Sequence, residues 1–146
     1  MRSYKLAQAA FLPLTGQTQR AYLAGIFDGE GNLYAQRRQP ASFPRWQLSV
    51  GNTDTNLMAW LAAFGGNVRL LGRAGHNKRT KDYYCWRLTG AANVLRFLLA
   101  VRPWLIIKRL TADEAIKTIR ARMAITEGGN EDAIHTGDDL NLEGRF

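Results

Sequence analysis

Two carboxylates stand two residues apart in this 146-residue chain, Asp28 and Glu30, each followed by a glycine, Gly29 and Gly31. They lie in the run Y-L-A-G-I-F-D-G-E-G-N-L-Y-A-Q from Tyr22 to Gln36. Carboxylate oxygens hold hard divalent cations, and a cation so held activates water and offsets charge on a phosphate. Glycines beside acids at a helix end let the backbone turn sharply and aim a carboxylate away from its own helix. The residues before Asp28 have helical character and those after Gly31 alternate, so the acids are expected at a helix-to-strand junction.

The elements that position this junction follow from periodicity and breakers. Residues 1–16 read as an irregular arm, broken by Pro13 and Gly16. Thr15 or Thr18 is expected to cap a helix running to about Phe27. Ala21 and Gly25, four apart, give that helix a small-residue face that lets another helix approach closely, within one subunit or between two. Leu33 and Ala35 are expected inward, with Tyr34, Gln36 and Arg38 outward. After a turn at Pro40 to Pro44, Trp46, Leu48 and Val50 point in while Arg45, Gln47 and Ser49 point out, completing a hairpin with an apolar and a polar-basic face. Thr53 or Asp54 starts a helix carrying Leu57, Met58, Trp60, Leu61 and Phe64, which Gly65-Gly66 ends.

A second hairpin puts Val68, Leu70, Tyr84, Trp86 and Leu88 inward, with Arg69, Leu71, Arg73, Tyr83, Cys85 and Arg87 outward. Its loop, Ala74 to Lys81, carries His76, Lys78, Arg79 and Lys81. Gly90 precedes a helix with Val94, Leu95, Leu98 and Leu99. Pro103 opens a last helix, with Ile106, Ile107, Leu110, Ala115, Ile116 and Ile119 at helical spacing. The order is α-β-β-α-β-β-α-α, an α+β domain with one antiparallel sheet covered by helices. Three segments result: an arm at 1–16, a domain at 17–124 and an acidic tail at 125–146, expected to be disordered.

Charge is uneven. Residues 1–124 hold 19 Lys or Arg against 6 acids, a net of +13, whereas residues 125–146 hold one Arg against six acids, a net of −5. A basic body points to a polyanion, most simply nucleic acid. Arg outnumbers Lys fifteen to five, and the planar guanidinium suits phosphates and guanine edges. The single cysteine, Cys85, excludes an intrachain disulfide, and no Cys/His spacing suits zinc. His76 and His135 are isolated. No apolar run approaches a membrane span, so no membrane partner is expected. A reducing compartment that holds DNA fits, such as bacterial or phage cytoplasm or an organelle.

The segment Leu23-Ala24-Gly25-Ile26-Phe27-Asp28-Gly29-Glu30-Gly31 resembles the LAGLIDADG motif of the homing endonuclease family, without a gap. The resemblance covers roughly residues 18–122, as motif over 22–36 and as pattern elsewhere. It implies an αββαββα core whose antiparallel sheet forms a concave DNA-binding saddle, with helices on the other face. The implied activity is sequence-specific double-strand DNA cleavage at a long near-palindromic site, leaving short 3′ overhangs. The motif occurs once, which in this family implies a homodimer, with Ala21, Ala24 and Gly25 at the dimer interface. The implied cofactor is Mg²⁺, or another divalent cation such as Mn²⁺, or Ca²⁺ in a non-cleaving complex.

By this resemblance Glu30 is the metal ligand, with the Gly29 backbone carbonyl beside it. Asp28 is either a second ligand or, like the family's first acid, a structural residue at the helix junction. Glu30 departs from the Asp that the family usually has there. Asn52 and Lys108 match polar and basic positions that organise water and charge, so the catalytic set is Glu30, Asn52 and Lys108. Asn52 could equally be a helix-start residue and Lys108 a solvated lysine. The outward residues Tyr34, Gln36, Arg38, Arg45, Gln47, Arg69, Arg73 and Arg87 are expected to read bases, while Lys78, Arg79 and Lys81 grip phosphates. Rival readings on the same scaffold are a non-catalytic DNA-binding regulator and an intron maturase, which would bind RNA.

Overall fold

The structure, a computed structural model, describes residues 3–4, 16–37, 39–40 and 42–128, with backbone only for residues 3, 4 and 126–128. Arg38 and most of the acidic tail lie outside the described residues. In chain order the elements are β1 (Ser3–Tyr4), α1 (Gln17–Glu30), β2 (Gly31–Gln36), β3 (Arg45–Asn52), α2 (Thr55–Ala62), β4 (Asn67–Gly72), β5 (Tyr83–Leu88), α3 (Ala91–Val101), a 3₁₀ turn (Arg102–Trp104) and α4 (Arg109–Gly128). The strands form one antiparallel sheet in the order β1-β4-β5-β3-β2. The arm therefore contributes a two-residue edge strand on β4 where the sequence suggested irregular chain.

Alternation along the strands builds the core in rows. Leu33, Leu48 and Leu88 stand in register across three strands, and Val50, Trp86 and Val68 form the next row. All six are buried. Helices α1, α2 and α3 cover this face, and α4 packs on α3. Trp86 is fully buried, and its indole N–H donates to the Gly65 carbonyl at 2.7 Å. Phe97 of α3 lies 5.8 Å from the Trp86 ring and meets Phe27 of α1 edge-on at 5.2 Å. One aromatic column thus ties the central strand to α3 and to the helix that carries the acids. Ala35 and Trp46 pair toward the outer end of the edge hairpin. Ala35 is exposed, although expected inward, whereas Trp46 is half-buried and packs against the core as expected.

Further expectations are corrected. Helix α1 does not stop near Phe27 but runs through Asp28 and Gly29 to Glu30. Its N-cap is Gly16, without a side-chain cap, and Thr18 lies inside the helix. The last helix begins at Arg109 rather than at Pro103, because Leu105 turns extended (φ −71°, ψ 136°) after the 3₁₀ turn. Ile106, Ile107 and Leu110 are consequently exposed, while Ala112, Ala115, Ile116 and Ile119 bury against the core. Leu99 is likewise partly exposed. The Asp54 cap is as expected: its Oδ1 accepts the Leu57 N–H at 2.9 Å.

The helix-to-strand junction allows no side chain at residue 31. Gly31 caps α1 by donating its N–H to the Phe27 carbonyl, and a Cβ there would collide with the Phe27 ring and carbonyl. Gly31→Ala should therefore cost about 1–3 kcal/mol, the range for overpacking a filled site. Chemical denaturation checks this, with Gly29→Ala as the control: a Cβ at Gly29 meets nothing within 4 Å.

Candidate functional site

Residues two apart on a helix project to nearly opposite sides, and this separates the two acids. Asp28 turns toward the segment between the 3₁₀ turn and α4. Its Oδ2 accepts the Ile106 N–H at 2.7 Å and its Oδ1 accepts the Lys108 N–H at 3.0 Å. The Lys108 ammonium donates to the Asp28 backbone carbonyl at 2.7 Å and sits 5.7 Å from the Phe27 ring centroid. A cation at the last carbonyls of a helix is favourably placed against the helix dipole. Burial raises the Asp28 pKa. The backbone N–H groups of Ile106, Lys108 and Ile107, with the Lys108 charge, outweigh that and hold the carboxyl below its ordinary value of 3.8. Each Asp28 oxygen accepts one backbone amide, contacts of the kind the helix-junction alternative requires.

Glu30 is exposed and turns the other way. It lines a groove between α1 and α2 together with Asn52, Asp54 and Asn56, and with Thr18, Gln19, Tyr22, Ile26, Leu57 and Trp60. Asn52 closes β3, and its Oδ1 accepts the Asp54 N–H at 2.9 Å. Asn52 thus ends the strand two residues before the Asp54 cap of α2, and it also lines the groove with Glu30. Asn56, in the first turn of α2, was missed by the sequence reading; an uncharged side chain one turn into a helix carries no signal there. Gly29 lies in the last turn of α1, whose carbonyls have no intrahelical donor. A carboxylate and a helix-end carbonyl form an oxygen-only donor set, suited to Mg²⁺ or Ca²⁺. Among the described residues no group of three or more His, Cys, Asp or Glu could hold a metal ion.

The opposite face of the sheet is polar and basic. Strands β2 to β5 contain no acid. Arg45, Arg69 and Arg73 are exposed, and Arg87 is half-buried with its Nε unpartnered among the described residues. Tyr34 donates its hydroxyl to Gln47 Oε1 at 2.9 Å, and Gln47 Nε2 donates to Gln36 Oε1 at 3.3 Å. This chain pre-orients two amides on the outward surface. At the loop tip, Asn77 and Lys78 both have positive φ (50° and 62°), and the Arg79 N–H donates to the His76 carbonyl at 3.1 Å, a tight reverse turn. Lys78 and Lys81 are exposed. Arg79 folds back: its guanidinium packs on Gly72 and lies 5.4 Å from the Tyr83 ring centroid. Arg79 is nonetheless exposed at the loop, as Lys78 and Lys81 are.

The small-residue face of α1 is partly confirmed as a surface. Gly25 is exposed, with nothing within 4 Å of a Cβ built there, and Ala21 is half-buried. Ala24, expected at a dimer interface, is instead fully buried in the subunit's own core with Leu23 and Phe27. One position along a helix turns a residue by about 100°, and that moves Ala24 onto the inward stripe. Cys85, outward by alternation, is nonetheless buried. None of the described helices is long and apolar enough to cross a membrane.

No protein-family model matches this sequence, and no curated protein matches it. Solved structures do. The chain is similar to the homing endonuclease I-CvuI in complex with its target in the presence of Ca, at 19% identity and TM-score 0.58, over 89% of this chain and 83% of that one. It is similar to the LAGLIDADG meganuclease I-AabMI bound to uncleaved DNA, at 15% identity and TM-score 0.57, over 85% of this chain and 43% of that one. It is also similar to the group I intron-encoded homing endonuclease I-CeuI complexed with DNA, at 8% identity and TM-score 0.53, over 90% and 68%. The fold of this chain is the LAGLIDADG homing-endonuclease fold.

The Asp28 contacts carry a pH signature. Because its folded pKa is depressed, its contribution is fully present above the unfolded value of 3.8 and is lost as pH falls through the folded value. Asp28→Asn should cost about 1–3 kcal/mol at pH 7, as the charge-assisted bonds are weakened. The gap between the two proteins should narrow below about pH 3.8. Urea denaturation of both at pH 7 and at pH 3 measures it.

Proposed function

We propose that this chain is one subunit of a homodimeric, divalent-metal-dependent DNA endonuclease of the LAGLIDADG homing type. The observation that carries the reading is the division of the two acids. Asp28 is consumed in holding the helix junction, and Glu30 is left exposed at the mouth of a groove with Asn52. The incomplete oxygen donor set supports a second copy that supplies a second Glu30. So does the exposed Gly25 face. The coverage of the similar structures fits as well: this chain spans 83% of I-CvuI but 43% of I-AabMI.

In this reading the basic sheet face docks on a duplex. Phosphate contacts set position, and base contacts set sequence. Arg45, Arg69 and Arg87 suit guanine edges, and the pre-oriented Gln36 and Gln47 amides suit adenine. Lys78 and Lys81 at the loop contact phosphates. Glu30 and the Gly29 carbonyl would hold a divalent cation, which when bound supplies an activated water and offsets charge on the scissile phosphate. The Asn52 amide, fixed through its bond to the Asp54 N–H, orients water in the groove. Lys108 is held against the end of α1, where its charge offsets the negative pole of the helix. Cleavage leaving short 3′ overhangs, at a long near-palindromic site, belongs to the same proposal.

Glu30→Gln keeps the side-chain size and removes the charge that would hold a cation. The expected outcome is loss of cleavage of a plasmid library in Mg²⁺, with DNA binding at low salt retained. Full activity in the variant would refute the site. An uncleaved library with the wild-type protein in Mg²⁺ and Mn²⁺ would favour a non-cleaving DNA-binding protein or an RNA-binding maturase.

Lys78→Gln should weaken binding to all duplexes alike and lower the slope of log K against log salt by about one unit. Arg69→Gln should instead relax base preference, at about 1–3 kcal/mol for a lost bidentate contact. Equilibrium binding across a salt series, with a randomised duplex pool, separates the two. Identical behaviour of both variants would contradict the division between loop and sheet.

A further inference from the structure

The polar side chains Tyr34, Gln47 and Gln36 on the edge hairpin form one hydrogen-bonded chain, and that chain has a direction. Tyr34 and Gln36 share the outward face of β2, and Gln47 stands opposite Tyr34 on β3, diagonal to Gln36. The Tyr34 hydroxyl donates to Gln47 Oε1 at 2.9 Å, and Gln47 Nε2 donates to Gln36 Oε1 at 3.3 Å. An amide oxygen only accepts and an amide nitrogen only donates. Once Gln47 turns its oxygen to Tyr34, its nitrogen faces Gln36, and Gln36 must answer with its oxygen. Tyr34 sets this sense. Its hydroxyl belongs to a half-buried side chain, and the reverse sense would leave the phenolic proton without an acceptor among the described residues. Gln36 lies at the exposed end, with its oxygen fixed toward Gln47 and its amide hydrogens turned away.

We infer that Tyr34 is a positioning residue: through Gln47 it fixes the direction of the Gln36 amide, so that the protein distinguishes an A·T from a T·A base pair. This rests on the DNA-binding reading above and adds to it the origin of one base preference. In the major groove adenine presents an N7 acceptor beside an N6 donor, and a glutamine amide pairs with both. Turning the base pair over reverses the order in which donor and acceptor cross the groove. A glutamine free to rotate about its last bond meets either order, because a half-turn exchanges its oxygen and nitrogen. A glutamine held at Oε1 by Gln47 keeps one order. It still reaches the base with both groups, since an amide oxygen accepts twice and its nitrogen carries two hydrogens. Tyr34, expected among the base readers, is instead engaged inside the chain.

The test is selection from a randomised duplex pool by the full chain, with each bound pool sequenced and thermal melts verifying that every variant folds. The wild type should enrich adenine in one strand over the other by about tenfold at one base pair, on the scale of one hydrogen bond. Tyr34→Phe keeps the ring and removes only the hydroxyl, and should bring that ratio near parity. Gln36→Leu should relax the same base pair. The double variant should match Gln36→Leu alone, since Tyr34 acts only through that amide. Gln47→Glu gives the sharper arm. A carboxylate accepts from both neighbours, so Gln36 must turn its nitrogen inward and its oxygen out. The enriched adenine should then move to the opposite strand, on top of a general loss of affinity from the added negative charge. The inference is overturned if the wild type has no strand preference at the base pair that Gln36→Leu relaxes, if Tyr34→Phe keeps that preference in full, or if Gln47→Glu leaves the adenine strand unchanged. A wild-type pool with no enriched sequence at all would end the base-reading function on which the inference rests.

Discussion

The Asp28 carboxylate and the two amides it receives organise the functional end of this molecule. A helix C-terminus ends in carbonyls that lack donors, and the loop before α4 begins with amides that lack acceptors. One carboxylate and one ammonium, from Asp28 and Lys108, satisfy both needs across 80 residues of sequence. The exchange stops α4 from starting at Pro103, turns Ile106 and Ile107 outward, and holds Lys108 beside the helix that carries Glu30. Because residues two apart on a helix face away from each other, committing Asp28 to the junction leaves Glu30 in the groove.

The rest of the architecture keeps that junction rigid. The column of Trp86, Phe97 and Phe27 sets the depth of α1 over the sheet, and Gly31 lets β2 begin against the Phe27 ring with no intervening side chain. The sheet divides its two faces by alternation, with apolar rows toward the helices and amides and guanidiniums away from them. An outward surface without carboxylates does not neutralise itself, and its charges remain available to a polyanion. The Tyr34–Gln47–Gln36 chain adds fixed donor and acceptor directions to a face that would otherwise offer only charge.

Among the described residues the most exposed large apolar side chains, Ile106, Ile107 and Leu110, lie on the segment that Asp28 fastens to the end of α1. The exposed Gly25, with open space where a side chain would be, is in keeping with a second backbone approaching there.

By itself the sequence determined the order of elements, the apolar rows of the strands, the Asp54 cap, the acid-free outward face and the position of the two acids at a helix-to-strand junction. These follow from short-range patterns of period two and period 3.6 and from local capping chemistry, which need no distant partner. It also kept open whether Asp28 was a ligand or a junction residue, and whether Asn52 belonged to a helix start. Only the tertiary structure shows what Asp28 touches, because its partners lie about 80 residues away in the chain. The same holds for Ala24, placed in the core rather than at a surface, and for Arg79, folded onto Tyr83. The exposure of Ile106, Ile107 and Leu110 was illegible for a like reason: helical spacing of apolar residues predicts burial, and here a carboxylate from another helix takes the amides that would have begun that helix.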